Sequence, residues 1–197
     1  MSQTLPTKQP YPPGDFAIWM IIYIELLTFG LFFIGFAFSR RQDVGLFNES
    51  QLLLNQTSGM IDMLLLLTSS YLMVKAVHAI KKSLDSGAAN RIAARWLLAA
   101  LVLGVCFLFN KTAELSALFD QGIGLSTNRF FMFYVLLSVF HLMHVGLGVV
   151  IVFNTRQAAV QGSYSNTEYR GIETAAVYWH LVDLLWIVLF ALFYVLH

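Results

Sequence analysis

The sequence predicts an all-α membrane protein, a bundle of five transmembrane helices with the N-terminus inside and the C-terminus outside. Three observations carry this expectation. Of 197 residues, 58% are hydrophobic and only 12% are charged, about half the charged share of a soluble domain. Mean hydropathy is strongly positive, at +0.69. Five apolar runs recur along the chain, each near the ~20 residues that cross the ~30 Å hydrocarbon core of a bilayer.

The first fifteen residues are polar and Pro-rich, and read as a mobile tail ending at Pro12-Pro13-Gly14. They lack the basic start and cleavage site of a secretory signal. Residues 16–197 then form one transmembrane domain. Span 1 covers about 16–38 and stops where charge returns at Ser39-Arg40-Arg41. Span 2 covers about 59–80 and stops at Lys81-Lys82. Spans 3, 4 and 5 cover about 94–117, 130–153 and 173–196. The connectors carry Gly, Asn, Ser and charge, as in residues 83–90 and 161–167, which are turn and loop residues.

Lys and Arg set the orientation, because they concentrate on cytoplasmic loops. Lys8, Lys81, Lys82, Arg91, Arg95, Arg156 and Arg170 fall on one side, and Arg40, Arg41 and Arg129 on the other. The richer side is inside. Lys75 and Lys111 lie within spans near an end, where a long side chain is able to snorkel to the surface.

A net charge of +1 gives no basic surface for nucleic acid. The single cysteine, Cys106, forms neither an internal disulfide nor a metal spacing, and reads as a small core residue. No nucleophile triad, phosphate loop or CxxC pair is present, so no catalytic, cofactor or metal residue is assigned. Ser69 and Ser70 are expected to bond to helical carbonyls or to a neighbouring helix.

The informative residues are ionisable groups within spans, which cost about 2.5–3.5 kcal/mol each at a bilayer centre. They are Glu25, Asp62, Glu114, Glu173 and Asp183, with His78, His141, His144 and His180. Glu173, Ala176, His180 and Asp183 share one face of span 5, and His141, His144 and Gly148 one face of span 4. Gly146 and Gly148, and Ala100 with Gly104, allow close helix approach. These placements predict a midplane cluster joining Glu25 to the His141/His144 and His180/Asp183 pairs, with carboxylate–imidazole bonds offsetting desolvation. Asp62 and Glu114 lie nearer the outer surface. Glu173, at the inner end of span 5, suits the positive end of the helix dipole. Such a cluster locks helix packing, with a metal or haem site and a proton or ion path as the alternatives.

Five segments together resemble a known family. The stretch Glu173-Thr-Ala-Ala-Val-Tyr-Trp-His-Leu-Val-Asp-Leu-Leu-Trp186 closely resembles the last helix of subunit III of the haem–copper oxidases. Phe140-His141-Leu142-Met143-His144-Val145 resembles that family's HGxHV segment, with Leu142 in place of the Gly. The run from Asp62 to Ser70 resembles its acid-initiated helix ending in Ser-Ser. Trp19, Glu25 and Phe29 look like an opening helix of that family, and Glu114 is similar to one of its acids. Five spans, the opening Pro-Gly-Asp-Phe-Ala-Ile-Trp and the Leu53–Leu67 stretch look most like the bacterial form associated with nitric oxide reductase (the NorE type).

The resemblance implies a non-catalytic accessory subunit of a membrane respiratory complex. Such a subunit supports assembly, stability or proton uptake in aerobic electron transport or nitric oxide reduction. It implies no haem or copper on this chain, bound phospholipid as an allowed ligand, and the catalytic subunit of an oxidase or nitric oxide reductase as partner. It also implies the bacterial cytoplasmic (inner) membrane as location. The alternative is an independent transporter or proton pathway protein.

Overall fold

The computed structural model describes residues 14–83 and 85–196. The tail expected to be mobile lies almost wholly outside these residues. The chain forms α1 (Phe16–Gln42), α2 (Val44–Gln51), α3 (Gln56–Lys82), α4 (Ser86–Asp120), α5 (Arg129–Val160) and α6 (Arg170–Phe190), which ends in a π-helical turn, Ala191–Val195. Five helices are long and apolar enough to cross a membrane. Each corresponds to one expected span.

The helices overrun the spans read from hydropathy. The largest excess is in α4, whose 35 residues extend ~52 Å at 1.5 Å per residue and begin eight residues before the expected start at 94. The cause is local. Asp85 accepts from the backbone N–H groups of Gly87 and Ala88, so the helix is capped well before its apolar run begins. The connector expected over residues 83–90 is correspondingly short. Asp15, Asp43, Asn55 and Asn128 cap α1, α2, α3 and α5 in the same way. At the other end, Gly122 and Gly162 adopt φ of +77° and +76°. This left-handed conformation, which favours glycine, closes α4 and α5.

The short helix α2 was not expected from the sequence. Its Phe47 is fully buried, edge-on to Phe36 at 5.2 Å and Phe130 at 5.6 Å. Tertiary packing holds these eight residues as a helix where isolated propensity would not suffice. Asn128 donates to Ser50, and Gln51 donates to the carbonyl of Leu192, tying α2 to α5 and to the end of α6.

Helices α3, α4, α5 and α6 close a four-membered ring in which each packs on the next and α6 returns to α3. Helix α1 lies outside, against α5 and α6, and leaves most of its apolar side chains exposed, Leu27, Leu31 and Ile34 among them. Asp15 N–H donates to Thr174 Oγ1, fastening the start of α1 to α6.

Trp179 packs tightly against two glycines of neighbouring helices in the ring. A Cβ at Gly104 of α4 would lie 2.6 Å from its Cη2, and one at Gly148 of α5 3.0 Å from its Cε3 and Cζ3. Both glycines serve the close packing expected of them. Gly146 does not, since a Cβ there would meet nothing within 4 Å. Cys106 also departs from expectation: it is exposed rather than in the core. Trp179 and Trp186 are fully buried packing residues, whereas Trp96 is partly exposed.

Candidate functional site: the buried polar core

The expected single midplane cluster is divided among separate groups of bonds. Glu25 does reach a histidine: its Oε2 lies 3.0 Å from His144 Nε2, with side-chain exposures of 20% and 12%. The other nitrogen, Nδ1, lies 2.7 Å from the carbonyl of Phe140. Both ring nitrogens therefore face acceptors, and a neutral imidazole carries only one N–H. Both contacts are hydrogen bonds only if a further proton sits on the ring or on the carboxyl. Tyr178 of α6 donates to the backbone carbonyl of His144, so this pair holds α1, α5 and α6 together.

His180 and Asp183 belong to a second group. Ser70 Oγ lies 2.5 Å from His180 Nδ1, and Asp183 sits beside both. Ser69, one residue earlier, donates across to the carbonyl of Ala100 at 2.9 Å. The Ser-Ser pair thus bonds to neighbouring helices, joining α3 to α6 and to α4. Glu173, in the first turn of α6, forms an ion pair with Lys81 at the end of α3. It meets a lysine as well as the helix dipole.

His141 joins neither group. It is fully buried, its ring lies 5.2 Å from that of Trp186 at an interplanar angle of 23°, and Phe107 meets it edge-on at 5.7 Å. Three residues along one helix face did not bring His141 and His144 to a shared ligand, because α1 takes His144 while His141 faces the ring interior.

The densest network lies where the sequence suggested only two separate acids. Lys111 is fully buried, with Nζ 3.1 Å from Glu114 Oε2; it does not snorkel. Its amine also donates to Tyr134 Oη and Tyr194 Oη at 3.0 and 2.8 Å. Both tyrosines in turn donate to Glu114 Oε1, at 2.7 and 2.8 Å. Ser58 donates to Glu114 Oε2, and Asn110 donates to Ser58 and to Asp62 Oδ1. Glu114 therefore accepts four bonds, which offsets the cost of its burial. The amine is further ringed by aromatic faces, 4.8 Å from Trp186 and 5.1 Å from Tyr134, a cation–π setting.

Lys111, Asn110, Tyr134, Tyr194 and Ser58 were not among the expected site residues. One signal was available: Lys111 and Glu114 are three apart and so share a helix face.

These interactions cross-link helices. Among the described residues, no three His, Cys, Asp or Glu side chains are grouped so as to hold a metal ion. The fold and the core thus define a helical multi-pass membrane protein whose buried acids and histidines are mostly bonded to neighbouring helices. The chain belongs to the cytochrome c oxidase subunit III family, whose model matches residues 15–197.

Its relatives span several kinds of oxidase. It is 34% identical over 137 residues to cytochrome c oxidase subunit 3 of Synechocystis, a match covering 69% of this chain and 55% of that protein. It is 23% identical over 180 residues to cytochrome bo(3) ubiquinol oxidase subunit 3 of Buchnera aphidicola, covering 91% and 84%. It is 26% identical over 196 residues to a heme-copper oxidase subunit I+III of Aeropyrum pernix, covering 94% of this chain and 23% of that protein. The chain therefore spans little more than half of the Synechocystis protein and under a quarter of the Aeropyrum one.

Proposed function

We propose that this protein is a non-catalytic accessory subunit, of the subunit III kind, in a membrane respiratory haem–copper complex. The observation that carries the reading is the family match across all five membrane-length helices. The core is consistent with that role. Its acids and histidines are mainly committed to helix–helix bonds, leaving the outer apolar faces for lipid and for a larger partner. The Aeropyrum relative, whose name joins subunits I and III in one chain, supports a catalytic subunit I as that partner.

Within the family, the reading extends to the five-span form associated with nitric oxide reductase. It rests on the five spans, the Pro13-Gly14-Asp15-Phe16-Ala17-Ile18-Trp19 opening and the Leu53–Leu67 stretch. The partner is then a nitric oxide reductase in denitrification, with an aerobic oxidase as the competing partner. The chain sits in a bacterial cytoplasmic membrane, N-terminus inside, with phospholipid against its exposed faces and no haem or copper of its own.

The test is purification from native membranes in mild detergent through a tag at Met1. The expected result is a larger membrane subunit that co-purifies and carries haem absorbance, its identity separating reductase from oxidase. Recovery always without a partner contradicts the reading. Proton flux from the isolated protein in liposomes, lost in Asp62→Asn, would instead establish an independent pathway.

A further inference from the structure

Two hydrogen-bonded networks lie at different depths in the α3–α6 ring. In one, Asp62, Asn110, Ser58, Glu114, Lys111, Tyr134 and Tyr194 are linked, and Ser58, Asn110 and Glu114 line a cavity of about 320 Å³. Nearer the middle of α3 and α6 lie Asp183, Ser70 and His180. His180 lines a second cavity of about 200 Å³ together with His78, Lys81 and Glu173. Between them, His141 of α5 stacks on Trp186 of α6, with Ser138 three residues earlier on α5.

This middle segment is polar but unbonded. Ser138 Oγ, both ring nitrogens of His141, Trp186 Nε1 and Asp183 Oδ1 are buried without a hydrogen-bond partner among the described residues. His141 and Ser138 are each 0% exposed. A neutral imidazole presents one donor and one acceptor, and leaving either bare in an apolar interior forfeits the hydrogen bond it would make in water. Ser138 adds a second anomaly. Three threonine hydroxyls in these helices fold back on the carbonyl four residues earlier, Thr28 on Ile24, Thr112 on Leu108 and Thr155 on Ile151, and those of Ser58, Ser69 and Ser70 reach across to other helices. Ser138 makes no such bond, though that local option is open to any helical serine.

These residues lie along stretches of α5 and α6 that pack together at His141 and Trp186. Tyr134, Ser138 and His141 occur at i, i+4 and i+7 and so share one face of α5. Trp186 stacks on His141 and lies under Lys111 Nζ, so the middle segment abuts the first network. Asp183 stands one helical turn from Trp186 toward the second network. Buried polar groups in folded proteins are paired with protein or with ordered water, a buried water typically taking 2–4 such partners.

We infer that Ser138, His141, Trp186 and Asp183 bind internal water, which joins the two networks into one hydrogen-bonded chain within the four-helix ring. The ligand is water, held by an imidazole, an indole N–H, a hydroxyl and a carboxylate oxygen. The inference does not depend on which complex the protein joins.

Water-edited solid-state NMR of the full chain in lipid tests it. Phe140-His141 is the only Phe-His pair in the sequence. Protein labelled with carbonyl-13C Phe and uniformly 13C,15N-labelled His therefore identifies His141 without any substitution, its ring being traced from its own backbone nitrogen. The expected result is magnetisation passing from water to the His141 ring on the timescale seen for the exposed His78 ring. A His141 ring that receives magnetisation no faster than its own backbone carbonyl overturns the inference. Ser138→Ala supplies a second reading. Slower transfer to His141 supports the shared water site, and unchanged transfer removes Ser138 from it.

Discussion

Lys111 and Glu114, three residues apart on α4, form an ion pair with Nζ 3.1 Å from Oε2, the side chains being 0% and 8% exposed. Removing one partner strands the other charge in the core. Lys111→Met is expected to cost about 3–5 kcal/mol of stability. Replacing both, as Lys111→Met with Glu114→Leu, is expected to recover much of that loss. Thermal unfolding in detergent of the two single variants and the double variant measures the coupling directly.

The Glu25–His144 contact ties a peripheral helix to the ring, and its groups are partly exposed. Interhelical hydrogen bonds in membrane proteins average about 0.6 kcal/mol. Glu25→Leu is therefore expected to destabilise much less than Lys111→Met, with the loss absent in a His144→Leu background. A double-mutant cycle of a few kcal/mol at this pair would show that α1 is held far more tightly than its sparse packing indicates.

Trp179 leaves no space for a methyl group at either glycine that faces it. Gly104→Ala and Gly148→Ala are each expected to cost about 1–3 kcal/mol by overpacking. Gly146→Ala meets open space, and is expected to be neutral or to stabilise by up to about 1 kcal/mol through helix propensity. Melting temperatures of the three variants check the ordering.

Charge asymmetry predicts the N-terminus inside. A reporter fused after residue 197 is expected to be active outside the cytoplasm, and cytoplasmic activity would reverse the topology.

The five spans were legible in the sequence because the bilayer demands long apolar helices and permits few charges within them. Helix ends were less legible. Asp85 starts α4 in a polar region where hydropathy carries no signal. Helix α2 was invisible because Phe47 holds it through contacts with Phe36 and Phe130, which no local pattern reveals. At the site, the residue types were legible and the pairings were not. Glu114 bonds Tyr194, 80 residues away, and only the assembled ring brings them together. Lys111 was misread because a lysine near a span end usually reaches water, whereas here Glu114 and two tyrosines hold it inside. Glu25 did meet a histidine, but the geometry of α1 chose His144 and left His141 to the interior.

The most direct measurement compares assembly with turnover in the complex purified through this subunit. In Lys111→Met, the amount of assembled complex is expected to fall while activity per haem in the surviving complex stays at the wild-type value. A fully assembled complex that has lost its turnover would contradict the helix-locking role of the buried network and place it in the chemistry itself.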